Sequence, residues 1–182
     1  MSIHTKAKEA IQRIEQYSAK FKPGEVFIGH SGGKDSCVIH HLTRQVIDKF
    51  VIVHNVKPLL GTSGDPVAAL TEMHPATLQF LYSEVCRYNH VQMMHSSMMP
   101  QFIQQNGLKC QIDGSRACEA LREGKSSEFI HQGQNVNRKE MVPYIENGIF
   151  DLSIIYPIYD WTDDEVFEYI RVNNLPLSDE YV

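Results

Sequence analysis

Apolar positions along this chain keep two rhythms, and the two alternate. Ile11, Ile14 and Tyr17 recur at helical spacing in "MSIHTKAKEAIQRIEQYSAKF", which predicts an amphipathic helix from about Ser2 to Lys20. "EVFIGH" (25–30) then reads as a short buried strand, and a glycine turn leads into a helix over about 35–48 with Val38, Leu42 and Val46 on one side. "FVIVHNV" (50–56) is β-branched, apolar and short, the clearest strand of all. "KPLLGTSGDP" (57–66) is loop by composition. Pro75 suits a first helical turn, and 76–89 carries Leu78, Leu81, Val85 and Tyr88 on one face. "VQMMH" (91–95) and "LKCQID" (108–113) predict strands, and "SRACEALRE" (115–123) a helix. The stretch 124–150, with Gly124, Gly133 and Gly148, predicts mostly irregular chain. "LSIIYPI" (152–158) is a last strand, and "TDDEVFEYI" (162–170) a helix whose start is marked by Thr162 and Glu165 at capping-box spacing.

Strands alternating with helices predict an α/β fold: three layers, a mostly parallel twisted sheet with helices on both faces. Such sheets bind ligands outside the carboxyl ends of their strands. "HSGGKDS", "HNVK", "DGSR" and "YPIYDW" each follow a predicted strand, so four polar loops are expected to converge on one edge.

Composition narrows the partners. The 182 residues fit a single domain over 1–182, with 42% hydrophobic and 21% charged residues. The formal charge of −5 argues against broad nucleic-acid binding and leaves room for a local basic pocket. No apolar run approaches the roughly 20 residues that span a bilayer, and the N-terminus lacks the apolar core of a signal peptide. The expectation is a cytoplasmic protein that makes no membrane contact, with a homo-oligomer left open. Cys37, Cys86, Cys110 and Cys118 form no C-x-x-C pair and are expected as reduced thiols. The nine histidines show neither H-E-x-x-H nor zinc-site spacing, so no metal ligand is assigned.

The chemistry concentrates in "FIGHSGGKDSCVIHHL" (27–42). The Walker pattern fails, with Ile28 where its first glycine belongs and Asp35 in place of Ser or Thr, and G-x-G-x-x-G fails too. Ser31 and Lys34 match a bare S-x-x-K, but its S-D-N and K-T-G companions are absent. The physics of the loop stands regardless. Gly32 and Gly33 permit a sharp turn and a close approach. The following helix start offers unpaired amides and the positive end of its dipole. Lys34 adds a charge, expected to be exposed, and Ser31 and Ser36 add hydroxyls. A plain strand-to-helix turn capped by Ser31 or Asp35 would explain the glycines but not the lysine or the second serine.

"SGGKDS" (31–36) after a strand resembles the signature of the PP-loop (N-type) ATP pyrophosphatases, and downstream residues resemble the phosphoadenylyl-sulfate (PAPS) reductase family. "MHPATLQF" (73–80) is similar to its Phe-Pro-Glu-Thr segment, with Ala76 in place of the acid. "DGSRACEALR" (113–122) is similar to its Gly-x-Arg-x-x-Glu-x-x-x-Arg element, and "YPIYDWTDDEVFEYI" (156–170) to its Pro-Ile-x-Asp-Trp-Thr segment. "NNLPLSDEYV" (173–182) resembles the start of its Pro-Leu-Tyr-x-x-Gly-Tyr stretch. The resemblance implies an adenine nucleotide α-hydrolase-like fold. It implies a small-molecule nucleotide as ligand, ATP or PAPS/adenylyl sulfate, with magnesium as an accompanying ion. It implies an anion cradle of Ser31, Gly32, Gly33, Lys34, Asp35 and Ser36, closed by Gly114, Arg116 and Arg122, with Lys34, Asp35 and Arg116 as catalytic residues. Plainer roles compete: a turn for Gly114, a pair with Glu119 for Arg122, a loop cap for Asp160, a core position for Trp161.

The family's reductases place a nucleophilic cysteine in a Glu-Cys-Gly-Leu-His segment, which does not occur before Val182. Cys37, just after the loop, is the nearest candidate, with a thiol pKa that a helix N-terminus would lower; a buried small residue is the competing role. The favoured expectation is therefore a PP-loop enzyme that cleaves ATP between its α and β phosphates and adenylylates an acceptor. A PAPS or adenylyl-sulfate reductase is the alternative, and a non-catalytic nucleotide-binding protein the third reading.

Overall fold

The computed structural model describes residues 1–56, 91–95, 99–122, 130–131, 134–135 and 152–177, with side chains over 1–53, 101–119 and 152–177. Helix α1 (Ile3–Ser18) is capped by Ser2, whose side chain accepts from the Thr5 amide. Strand β1 (Val26–Gly29), helix α2 (Lys34–Thr43) and strand β2 (Val51–Val56) follow. Then come β3 (Val91–His95), α3 (Met99–Gln105), β4 (Cys110–Ile112) and α4 (Ala117–Arg122). The short strands β5 (Ile130–His131) and β6 (Gln134–Asn135) precede β7 (Ser153–Ile155) and α5 (Asp163–Val172).

The sheet order is β3-β2-β1-β4-β7-β6-β5. The first five strands pair in parallel; β6 and β5 extend the edge antiparallel. The α/β expectation therefore holds, with helices against both faces. Alternation along each strand sorts the core into two clusters. Ile28, Ile52, Cys110, Ile112 and Ile155 face α1, α2 and α5. Phe27, Val53 and Ile154 face the other way, toward Ile103 of α3. Because β2 flanks β1 on one side and β4 on the other, the strand order reverses at β1, the place where open sheets of this kind bind ligands, at the carboxyl ends of the strands.

Three differences from the sequence reading have local causes. The second helix ends at Thr43 rather than near residue 48, and Gln45, Val46 and Ile47 continue as turns onto Leu42 and Thr43 carbonyls. Helix α3 was not expected; among its described side chains only Ile103 is fully buried, with Phe102 packed beside the core, too little periodicity to announce it. The two-residue strands β5 and β6 lie in the stretch read as irregular. The predicted loop 57–66 and helix 76–89, with Ala76, fall outside the described residues.

The last helix begins as expected. Thr162 accepts from the Glu165 amide while the Glu165 carboxylate accepts from the Thr162 amide. Lys6 of α1 reaches the same carboxylate at 2.7 Å. Asp160 is not a loop cap: it holds Arg13 of α1 through both carboxylate oxygens, at 2.9 and 3.0 Å. Trp161 is core, 1% exposed. Thus α1 anchors the loop that connects β7 to α5.

His40 is buried in α2, its ring edge-on to His30 and Phe50. Burial, aided by Arg44, pushes its pKa down to about 4. The folded protein therefore holds fewer protons than the unfolded chain between about pH 6.5 and 4. Stability from this group is complete above pH 6.5 and falls as pH drops through that window, by an amount on the order of 3 kcal/mol. Urea unfolding at pH 7.5 and 4.5 should show this loss in the native protein and a shallower one in His40→Gln; equal slopes would contradict it.

Candidate functional site: a glycine loop and a buried arginine at the carboxyl edge

The loop between β1 and α2 is held by its own side chains. Gly32 takes φ 87°, a left-handed conformation that favours glycine. Its amide donates to Nδ1 of buried His30 at 3.0 Å. The Ser31 amide donates to Ser36 Oγ at 3.0 Å, the two serine hydroxyls stand 2.9 Å apart, and the Gly33 amide donates to Ser31 Oγ at 3.2 Å. Gly33 is the N-cap of α2, in extended backbone, with no side-chain cap hydrogen bond. Neither Ser31 nor Asp35 caps the helix, as the plainer reading required. Its first amides, of Lys34, Asp35 and Ser36, have no carbonyl one turn back, so this end keeps donors and dipole charge for an anion.

Lys34 is less exposed than expected: its side chain is 14% accessible and its ammonium is 2.9 Å from Asp35 Oδ2 and 3.4 Å from Asp163 Oδ1. Burial alone would lower its pKa, but the hydrogen bond and charge of Asp35 outweigh this and raise it. The lysine stays charged.

Beside it lies Arg116, fully buried at 0% exposure. Three carboxylates surround its guanidinium. Nη2 is 2.9 Å from Glu119 Oε1 and 2.7 Å from Asp163 Oδ1. Nε is 2.8 Å from Asp35 Oδ1, a charge contact too poorly aligned to count as a hydrogen bond. Nη1 donates to the Trp161 carbonyl at 3.4 Å. Burial lowers the Arg116 pKa, but Asp35, the hydrogen bond to Asp163 and then Glu119 raise it above its ordinary value. The same hydrogen bond holds Asp163 down at about 2. One guanidinium thus ties together the starts of α2, α4 and α5.

The structure brings Ser31, Gly32, Gly33, Lys34, Asp35, Ser36, Gly114 and Arg116 to one edge, as expected. It shows Arg116 spent on carboxylates, Glu119 among them, rather than presented to solvent. The Arg122 side chain and Lys57 of "HNVK" lie outside the described side chains. Sequence reasoning missed His30, Glu119 and Asp163 as parts of the site. Their one signal was position: immediately before the glycine loop, and in the first turns of α4 and α5.

The thiols behave differently from the sequence expectation. Cys37 is buried behind the loop; burial, and then the charge of Asp35, push its pKa up to about 12, so the helix start does not activate it. Burial does the same to Cys110. Cys118 is half-buried beside the arginine, with Sγ 3.4 Å from Arg116 Nη1. Cys86 lies outside the described residues. Among the described residues no three His, Cys, Asp or Glu side chains form a metal cage, and no helix is long and apolar enough to cross a membrane.

Gly114 owes its identity to a close approach rather than to a turn. A Cβ there would stand 3.2 Å from the main-chain carbon and Cβ of Asp35. Gly114→Ala must push the 113–116 turn away from α2, at a cost of about 1–3 kcal/mol. It should lower the midpoint of urea unfolding and weaken anion binding at the loop. An unchanged midpoint would show that the contact is not tight in solution.

Comparison with known proteins bears on this edge. A family model, the phosphoadenosine phosphosulfate reductase domain, matches residues 62–181, downstream of the glycine loop. The phosphoadenosine 5'-phosphosulfate reductase of Xanthomonas campestris pv. campestris (strain B100) is 26% identical over 181 residues, which cover 97% of this chain and 73% of that protein. Candida glabrata FMN adenylyltransferase in complex with ATP superposes with a TM-score of 0.68 at 13% identity, over 98% of this chain and 58% of that one. The PAPS reductase from Candida auris, a phosphate complex, superposes with a TM-score of 0.65 at 12% identity, over 98% and 89%. The chain spans less than two thirds of the adenylyltransferase, and at these identities the likenesses show the fold, the adenine nucleotide α-hydrolase-like arrangement expected from the sequence. The matched residues make up more than half of the sequence: the chain belongs to the phosphoadenosine phosphosulfate reductase domain family.

Proposed function

We propose that residues 1–182 act as one PP-loop domain that binds an adenine nucleotide and cleaves ATP between the α and β phosphates, passing the adenylyl group to an acceptor. The observation that carries the binding half is the start of α2: an N-terminus with no side-chain cap and a charged lysine, at the strand-order reversal. Phosphate oxygens accept from the Lys34, Asp35 and Ser36 amides, and the Ser31 and Ser36 hydroxyls and the Lys34 ammonium complete the cradle. In the transfer an acceptor oxygen attacks the α-phosphorus, the bond to the bridging oxygen breaks and pyrophosphate leaves with the electron pair. Lys34 and the helix dipole stabilise the charge that builds on the leaving group. Arg116 acts through Asp35 and Asp163, fixing where Lys34 stands, and Gly114 lets its turn close against Asp35. Arg122 is assigned to the far end of the ligand on family resemblance alone. Magnesium accompanying the nucleotide would be held by its phosphates and water, since Asp35, Glu119 and Asp163 are already engaged by Lys34 and Arg116.

The transfer reading draws on the thiols. Sulfonucleotide reduction needs a thiolate, and two of the three described cysteines are buried with pKa values pushed up to about 12. The ATP complex of the superposing adenylyltransferase is consistent with this reading. A second reading, reduction of PAPS or adenylyl sulfate, draws on the family and on Cys118 beside Arg116. Both need the same cradle, so Lys34→Ala should bind ATP, PAPS and adenylyl sulfate at least tenfold more weakly; its unfolding midpoint should fall as well, because the ammonium also pairs with Asp35 and Asp163, while the protein stays folded through Arg116. Undiminished binding would remove the cradle from both. Product analysis separates the readings: pyrophosphate from ATP supports transfer, whereas sulfite from PAPS and a dithiol, abolished by Cys118→Ser or Cys37→Ser, would replace it with reduction.

A further inference from the structure

Next to the cradle, on the far side of the strand-order reversal, a second polar group has no assigned task. Gln111 is the middle residue of β4, paired in register with Phe27 of β1 and Ile154 of β7. Phe27 and Ile154 belong to the apolar cluster on one face of the sheet, and Gln111 between them is only 9% exposed. A glutamine in such a place is expected to use both ends of its carboxamide.

It uses one. Nε2 donates to Asp113 Oδ2 at 3.0 Å. The acceptor there is a carboxylate whose other oxygen takes the Ser115 amide and hydroxyl, so Asp113 is fixed and the carboxamide cannot turn over without facing oxygen to oxygen. The remaining atom, Oε1, is buried and has no hydrogen-bond partner among the described residues. Beside it the chain supplies a glycine. A Cβ on Gly29, the last residue of β1, would sit 3.3 Å from Gln111 Nε2 and 3.9 Å from Asp113 Oδ2. Any side chain there would cover the carboxamide from the carboxyl edge. Gly29 leads through His30 into the glycine loop, and Asp113 leads into Gly114, which touches Asp35. The orphan oxygen is therefore on the same edge as the cradle, flanked by the chains that form it.

We propose that Gln111 contacts the nucleoside: its Oε1 accepts an N–H or O–H donor, a ribose hydroxyl or the adenine amino group, of the nucleotide whose phosphates lie at 31–36. The inference rests on the nucleotide-binding reading and deepens it. A buried acceptor that waits for one donor gives selectivity of a useful kind, since a ligand lacking that donor leaves the oxygen unpaired and is rejected.

The test joins ligand and protein changes on the full chain. ATP, 2′-deoxy-ATP, 3′-deoxy-ATP and inosine triphosphate are titrated into the native protein and Gln111→Met, and both proteins are melted without nucleotide. Gln111→Met should melt near the native temperature, since loss of the orphan oxygen offsets loss of the hydrogen bond to Asp113, yet bind ATP about tenfold more weakly. One of the three analogues should bind the two proteins alike, and that analogue names the donor. Equal ATP binding by both proteins, an equal loss for all four ligands, or a markedly lower melting temperature would overturn the proposal. The native protein alone also decides: if no analogue binds it more weakly than ATP, Gln111 reads no donor. PAPS is titrated alongside: a native protein that binds neither PAPS nor any of the four would sink the nucleotide reading itself, and a native protein that binds ATP confines any failure to Gln111.

Discussion

A fully buried guanidinium must be surrounded by charge, and much of this sheet edge follows from that requirement. Breaking such a cluster by removing one partner costs about 3–5 kcal/mol, because an unpaired charge is left in a low dielectric. Arg116 meets the requirement with Asp35, Glu119 and Asp163, the early residues of three helices. Each carboxylate sits in the first turn of its helix, where the dipole favours a negative charge as well. The arginine therefore does for the carboxyl edge what the apolar clusters do for the faces of the sheet. It ties together the starts of three helices, two of which, α2 and α5, also pack on each other through the core.

Lys34 inherits its position from the same cluster. Its ammonium lies between Asp35 and Asp163, two of the arginine's partners, and so is steered without being neutralised in protonation. A phosphate arriving at the start of α2 meets a lysine already fixed in place, which lowers the ordering cost of binding. Further out, α1 braces the arrangement through Arg13 on Asp160 and Lys6 on Glu165, so the loop before α5 is held from both sides.

How much of this was legible in the sequence depends on range. Strands β1, β2, β3, β4 and β7 announce themselves as short apolar runs, and Thr162 with Glu165 marks a helix start that the structure reproduces, because these signals are local. The glycine loop was legible for the same reason: its hydrogen bonds join residues within five positions of one another. The burial of Arg116 was not. An arginine after a turn glycine looks solvent-facing, and two of its partners, Asp35 and Asp163, are brought beside it only by the order of strands in the sheet. The same holds for Gly114, whose neighbour Asp35 is remote in the chain, and for Cys37, where proximity to a helix start suggested activation and burial decided otherwise.

The central claim is that the start of α2 is the anion site, organised by Arg116 and left without a side-chain cap. Amide chemical shifts followed by proton–nitrogen NMR during an ATP titration test it most directly. The account predicts the largest perturbations at the amides of Lys34, Asp35 and Ser36, with smaller ones at Gly32 and Gly33, whose amides already have acceptors in His30 and Ser31. Saturable shifts elsewhere, with those three amides unmoved, would contradict it.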